Sequence, residues 1–140
     1  LLVLALYFGV SIPSQALALE ATATPAMVET LEEGVSRLSA KYGVSKELAA
    51  KIIWCESKNR PQALGYNKTE SGEVWSTDYS YWQINDYYWE QELLEKHNWD
   101  IKNPTDNLEA GFFILSTAGT TPWKASENCW KYGTSEGYSR

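Results

Sequence analysis

The chain of 140 residues has one histidine, His97, and only two cysteines, Cys55 and Cys129. With a single imidazole and no Cys-x-x-Cys pair it lacks the donor set of a zinc site. No Ser/His/Asp nucleophilic arrangement, no glycine-rich phosphate loop and no internal repeat is present. Basic residues are in the minority. Twelve Lys and Arg face eighteen Asp and Glu, a net charge of −6. A nucleic-acid binder carries clustered cations, so that class is excluded. The same balance argues against a secreted antibacterial protein that finds anionic cell surfaces by charge. A hydrophobic content of 44% with charges of both signs excludes wholesale disorder. The length suits one domain with a real core, and not two.

What the chain does have in excess is tryptophan, seven residues in all. Most are expected to pack, with two or three left to line a groove. The first ten residues are apolar and uncharged, and Pro13, Ser14 and Ala16-Leu17-Ala18 follow. That layout reads as a secretory signal peptide over 1–18, truncated at its start and cleaved after Ala18; an uncleaved anchor is the alternative. The run is short for a membrane span. Residues 19–28 read as a linker, 29–132 as the folded domain and 133–140 as a polar tail. For an exported chain the even cysteine count suggests one disulfide, Cys55 to Cys129, with two buried free thiols as the alternative.

The spacing predicts a helix from Glu29 to Tyr42, with Leu31, Val35 and Leu38 on one face and Gly43 ending it. Ser45 can cap a second helix that runs to about Ser57, with Glu47 in its first turn. In that helix Ala49, Ile53 and Glu56 lie at i, i+4 and i+7, and Ile52 lies one turn before Glu56. Glu56 therefore sits beside the apolar stripe, where desolvation disfavours its anion and raises its proton affinity. Turn residues fill 58–77, and short stretches at Leu64-Tyr66 and Glu73-Ser76 could pair as a hairpin. A third helix is expected over Tyr87 to His97, with Trp89 and Leu93 on one side. A fourth begins at Pro104-Thr105, with Leu108, Phe112 and Leu115 facing the core, Gly111 permitting close packing and Gly119 stopping it. The expected fold is α+β and mainly α, a helical core with a small β-hairpin lobe flanking a groove.

Two segments carry the chemistry. Trp54-Cys55-Glu56-Ser57 places a carboxylic acid at the end of an apolar helix. Ser76-Thr77-Asp78-Tyr79-Ser80-Tyr81-Trp82-Gln83-Ile84-Asn85 supplies a second carboxylate, two amides and several rings. A carboxyl that stays protonated at neutral pH can act as a general acid, and rings and amides suit a sugar. The combination points to cleavage of a polysaccharide.

These residues also carry a family resemblance. Cys55 to Ala63 resembles the Glu-Ser-x-x-Asn-Pro-x-Ala stretch of SLT-type lytic transglycosylases, with Arg60 inserted before the proline. Ser76 to Asn85 is similar to the Ser-Thr-Asp-Tyr-Gly-x-x-Gln-Ile-Asn stretch of animal-type lysozymes and secretion-associated transglycosylases. Asn103 to Gly111 resembles the Asp-Pro-x-x-Asn-x-x-Ala-Gly helix start of the same group. A Cys just before the Glu, with a late Trp and Cys, is similar to resuscitation-promoting factors. Together the motifs cover about Thr30 to Trp130, and they imply a lysozyme-like fold. Two departures stand out: Ser80 replaces a glycine, and the Tyr-Asn-Ala-Gly motif, with its tyrosine near the acid, is absent.

The resemblance implies roles. Glu56 would be the general acid. Asp78 would be the second carboxylate of the lysozymes, the arrangement that serves as the standard worked example of paired carboxyls, or else a hydrogen-bonding turn residue. Ser57, Gln83 and Asn85 would meet or organise the substrate. Tyr79, Trp82 and Trp123 are candidate groove aromatics, each of which could equally be core. Asn107 would cap or brace the fourth helix. The implied activity is cleavage of the β-1,4 bond between N-acetylmuramic acid and N-acetylglucosamine, by a lytic transglycosylase or a muramidase; the other reading is a wall-binding module without catalysis. No metal and no cofactor is implied. Peptidoglycan strands are the expected partner, with transient association with envelope machinery, for a monomer that is secreted, periplasmic or in the cell envelope.

Overall fold

The structure is a computed structural model that describes residues 28–133. The expected signal segment 1–18, the linker up to residue 27 and the tail from 134 onward lie outside the described residues.

Local signals set the first two helices. Helix α1, Leu31–Tyr42, opens on a capping box: Thr30 Oγ1 accepts from the Glu33 N–H, and the Glu33 carboxylate accepts from the Thr30 N–H at 2.8 Å. It closes at Gly43, which takes a left-handed φ of 66°. Helix α2, Lys46–Ser57, is capped by Ser45, whose Oγ accepts from the Leu48 N–H at 3.2 Å. Both helices turn their apolar faces inward, burying Val35 and Leu38 from α1 and Ala49, Ile52 and Ile53 from α2.

A three-stranded antiparallel sheet follows, in the order β1 (Leu64–Lys68), β2 (Val74–Tyr79), β3 (Ile84–Asn85). The expected hairpin is therefore longer and has a third strand. Its extension depends on a turn that the sequence does not announce. Ser80 and Gln83 both adopt positive φ, 61° and 50°, without being glycine. The Ser80 N–H donates to the Ala63 carbonyl at 2.8 Å, and Gln83 N–H to Ser80 O at 3.3 Å.

Helix α3, Asp86–His97, leaves the sheet directly. Helix α4, Pro104–Ala118, is capped by Asn103, whose Oδ1 accepts from Thr105 and Asp106 N–H. A 3₁₀ segment, Thr121–Ser126, kinks at Trp123 and leads into α5, Glu127–Tyr132.

The core is organised around Trp82, which is 0% exposed. Its indole lies flat against Gly111 of α4, where an added Cβ would stand 2.2 Å from the ring. Only glycine fits there. Trp82 Nε1–H donates to Leu108 O at 3.1 Å, and the ring packs edge-on against Phe112 at 5.2 Å and beside Trp123 at 4.9 Å. Truncating a buried indole of this kind costs on the order of 3–5 kcal/mol. Asn107 is fully buried and braces this region: its Nδ2 donates to Tyr79 O and Ile101 O, and its Oδ1 accepts from Trp82 N–H. It is a brace, while Asn103 is the cap.

Candidate active site

The last turn of α2 delivers Glu56 to a cleft of about 880 Å³ between the helices and the sheet. Ile52 and Ile53, one turn earlier, are in the core, so the Glu56 stem leaves an apolar surface and its carboxyl is only partly exposed. Burial is the main influence on that carboxyl and holds its proton affinity above the ordinary value. The negative charge of Asp78 acts in the same direction. A hydrogen bond from Ser126 and the charge of Lys58 oppose them.

Ser126 comes from the other end of the chain. Its Oγ lies 2.5 Å from Glu56 Oε1 and 3.2 Å from Trp123 O. The Cys55–Cys129 disulfide closes beside this pair, joining positions 74 apart in sequence, with Cα atoms 5.9 Å apart. One half neighbours Glu56 in sequence and the other follows Ser126 by one helical turn. The cysteines are thus bridged rather than free. Trp130, 7% exposed, adds a hydrogen bond from Nε1 to Trp123 O at 3.1 Å. The 3₁₀ segment is held on both sides.

Asp78 faces the same cleft from β2. Each of its oxygens accepts from an amide: Oδ1 from Asn85 Nδ2 at 2.7 Å and Oδ2 from Asn67 Nδ2 at 3.0 Å. Asn85 Nδ2 also donates to Ser76 Oγ at 2.9 Å. Gln83 lines the cleft too, with its amide nitrogen donating to Ser80 O at 2.8 Å and Ala63 O at 3.1 Å. Its Oε1 sits against Gly65, where a Cβ would approach to 2.9 Å. Gln83 therefore fixes the β2–β3 turn beneath Asp78.

Three residues expected at the substrate lie elsewhere. Ser57 is 0% exposed, and its Oγ donates to Ile53 O at 2.9 Å within its own helix. Trp82 is the centre of the core. Tyr79 is turned away from the cleft, with Lys102 Nζ over its ring at 5.4 Å. Residue type alone does not say which face of a helix end, strand or turn looks inward. Trp123 lines the cleft, yet at 4% exposed it is a floor rather than a free platform. Glu56, Asp78, Gln83, Asn85 and Trp123 do converge on one cleft.

Sequence reasoning missed several residues at the cleft. Asn67, Trp75 and Tyr88 line it, and Ser126 contacts the Glu56 carboxyl. The aromatic run Tyr87-Tyr88-Trp89, one residue after the Ile84-Asn85 motif, was a usable signal for Tyr88. Nothing local marks Ser126.

A helical body carrying a small antiparallel sheet across a cleft, with a carboxyl at the end of a buried helix, defines a lysozyme-like α+β protein. A family model for the transglycosylase SLT domain matches residues 35–126, and the chain belongs to that family. Such domains cleave glycosidic bonds of peptidoglycan. Glu56, Asp78 and Ser126 all fall within the match, and Cys129 lies just beyond it. No curated protein and no solved structure gives a significant match to the chain.

Proposed function

We propose that this protein cleaves the β-1,4 bond between N-acetylmuramic acid and N-acetylglucosamine as a lytic transglycosylase, with Glu56 as its acid and then its base. The supporting observation is the Glu56 carboxyl itself, which opens onto the cleft while burial raises its proton affinity above the ordinary value. In the first step Glu56 gives that proton to the glycosidic oxygen, and the C1–O bond breaks. The anomeric carbon gains positive character, which the Asp78 carboxylate offsets from across the cleft. In the second step the C6 hydroxyl of the same muramic acid gives its proton to Glu56 and closes on C1. The product ends in a 1,6-anhydro ring, no water is consumed, and Glu56 is protonated again.

The competing reading is a muramidase in which Asp78 is the nucleophile. The amide clamps on both Asp78 oxygens favour the first reading, because they occupy both oxygens and hold the carboxylate in place. An electrostatic role needs a fixed charge, which two amides provide. The disulfide supports action in an oxidising compartment, in the periplasm or outside the cell.

Mass spectrometry of soluble products from purified peptidoglycan tests the proposal, with Glu56→Gln as control. Muropeptides lighter by one water, lost in the variant, are expected. Reducing-end products would instead establish hydrolysis. Retained wall binding with no products from the unaltered protein would leave a binding module.

A further inference from the structure

The cleft continues past Asp78 to a group of rings that the chemistry above leaves without a task. Trp75, Tyr87 and Tyr88 are 46%, 71% and 65% exposed. They pack edge-on against one another: Trp75 lies 5.6 Å from Tyr87 and 6.5 Å from Tyr88, and the two tyrosines are 5.1 Å apart. Large rings gathered at the surface rather than in the core mark an interaction surface.

The backbone is built to put them there. Asn67 pairs with Ser76, and the next residue, Lys68, pairs with Val74. Trp75 is therefore the extra residue of a β-bulge. Strict alternation along β2 would send its side chain to the face opposite Asp78. The bulge breaks the alternation, and Trp75 lines the same cleft as Asp78 and Glu56. Tyr88 lines it from the first turn of α3. That turn is tied to β2, since Asp86 Oδ1 accepts from the Thr77 N–H at 2.9 Å. The platform is thus fixed to the strand that carries Asp78. Trp75 stands three residues from Asp78, roughly 10 Å along a strand, which is more than one pyranose ring.

A pyranose offers an apolar C–H face and a rim of hydroxyls, and exposed rings match that face while their edges remain wet. Glu92 lines the same cleft and can accept from hydroxyls. Continuity with the cleft that holds Glu56 favours the glycan itself over a separate protein partner. We infer that Trp75 and Tyr88, buttressed by Tyr87, form a saccharide subsite. It holds an N-acetylhexosamine ring more than one sugar away from the bond being cut, and so makes cleavage depend on strand length. This rests on the glycan substrate proposed above.

The test uses the full chain with Trp75→Ala, Tyr88→Ala and Trp75→Phe, on peptide-free peptidoglycan strands separated into short and long fractions. On long strands the alanine variants are expected to raise KM about tenfold at unchanged kcat, and Trp75→Phe to recover most of the loss. On fragments too short to reach the platform they match the unaltered protein. Equal loss on both lengths, or no loss on either, overturns the subsite. Calorimetric titration of long strands reads it without turnover: weaker binding by Trp75→Ala supports it, and unchanged binding overturns it. A protein that binds long strands through Trp75 yet cleaves nothing would refute the proposed activity and leave the subsite standing. Both residues are exposed, so the variants fold, and circular dichroism verifies that.

Discussion

Replacing Ser80 with glycine is expected to stabilise the protein, and the structure gives the size of the effect. Ser80 holds a left-handed φ of 61°, which costs a residue with a Cβ about 1–2 kcal/mol. Its side chain is 2% exposed, and among the described residues its Oγ has no hydrogen-bond partner. A buried hydroxyl left in that state costs about 1–3 kcal/mol. Glycine removes both penalties. Against this, it adds freedom to the unfolded chain, worth about 0.4–1 kcal/mol, and loses one buried carbon, worth about 0.8 kcal/mol. The gains win by about 2 kcal/mol at the middle of these ranges. For a domain of this size that is a rise in Tm of roughly 5–10 °C. The assay is thermal unfolding followed by circular dichroism, with urea unfolding to confirm that the transition stays two-state. The backbone contacts of Ser80 do not involve its side chain, so the Gln83 turn and the cleft persist. An unchanged or lower Tm would refute the reasoning, because it would show that neither the turn nor the hydroxyl carries a penalty.

The remaining predictions concern the acid and its support. Glu56 holds its proton above the ordinary carboxyl range, so activity should fall as pH rises through that raised value. Ser126→Ala removes a hydrogen bond that favours the anion, so a pH–rate profile should show the alkaline limb moved upward and kcat reduced. A limb moved downward would refute this. The same shift bears on stability: a folded value above the unfolded one gives a contribution that is full at low pH and lost as pH rises through the folded value. Glu56→Gln should therefore be more stable than the unaltered protein at neutral pH, with the difference vanishing near pH 4. Opening the Cys55–Cys129 bridge, which spans 74 residues, should cost about 4.5 kcal/mol by the chain-entropy relation, read by urea unfolding of the double serine variant.

The helices were legible because their ends are written in single residues. Gly43 and Ser45 were read as such ends, whereas Thr30, inside the expected first helix, and Asn103, passed over for Asn107, are caps that only the structure shows. Glu56 was legible because its distance from Ile52 and Ile53 is fixed by helical period alone. The sheet was half legible: polar residues in a turn-rich segment hide period two, and the turn that extends it uses Ser80 and Gln83 where glycine would be expected. A bulge leaves no sequence trace, so nothing marked Trp75 as facing the cleft. Trp82 shows the limit for aromatics. It sits inside a motif associated with a groove, yet the bare backbone at Gly111 draws it into the core. Ser126 is one serine in a polar stretch, and only the folded chain brings it 70 residues back to Glu56.

That last contact has a consequence for the order in which the molecule matures. A chain that ends before the 3₁₀ segment can fold α1, α2 and the sheet from nearby contacts, but it leaves the end of α2 open to water. The Glu56 carboxyl of such a chain is more open to water, which moves its proton affinity back toward the ordinary value. Only when Trp123, Ser126 and Cys129 dock is that carboxyl enclosed. Contacts of such long sequence separation close late. A nascent or clipped chain would therefore possess every residue of the cleft up to Ala118 and still lack the enclosure that raises the proton affinity of its acid.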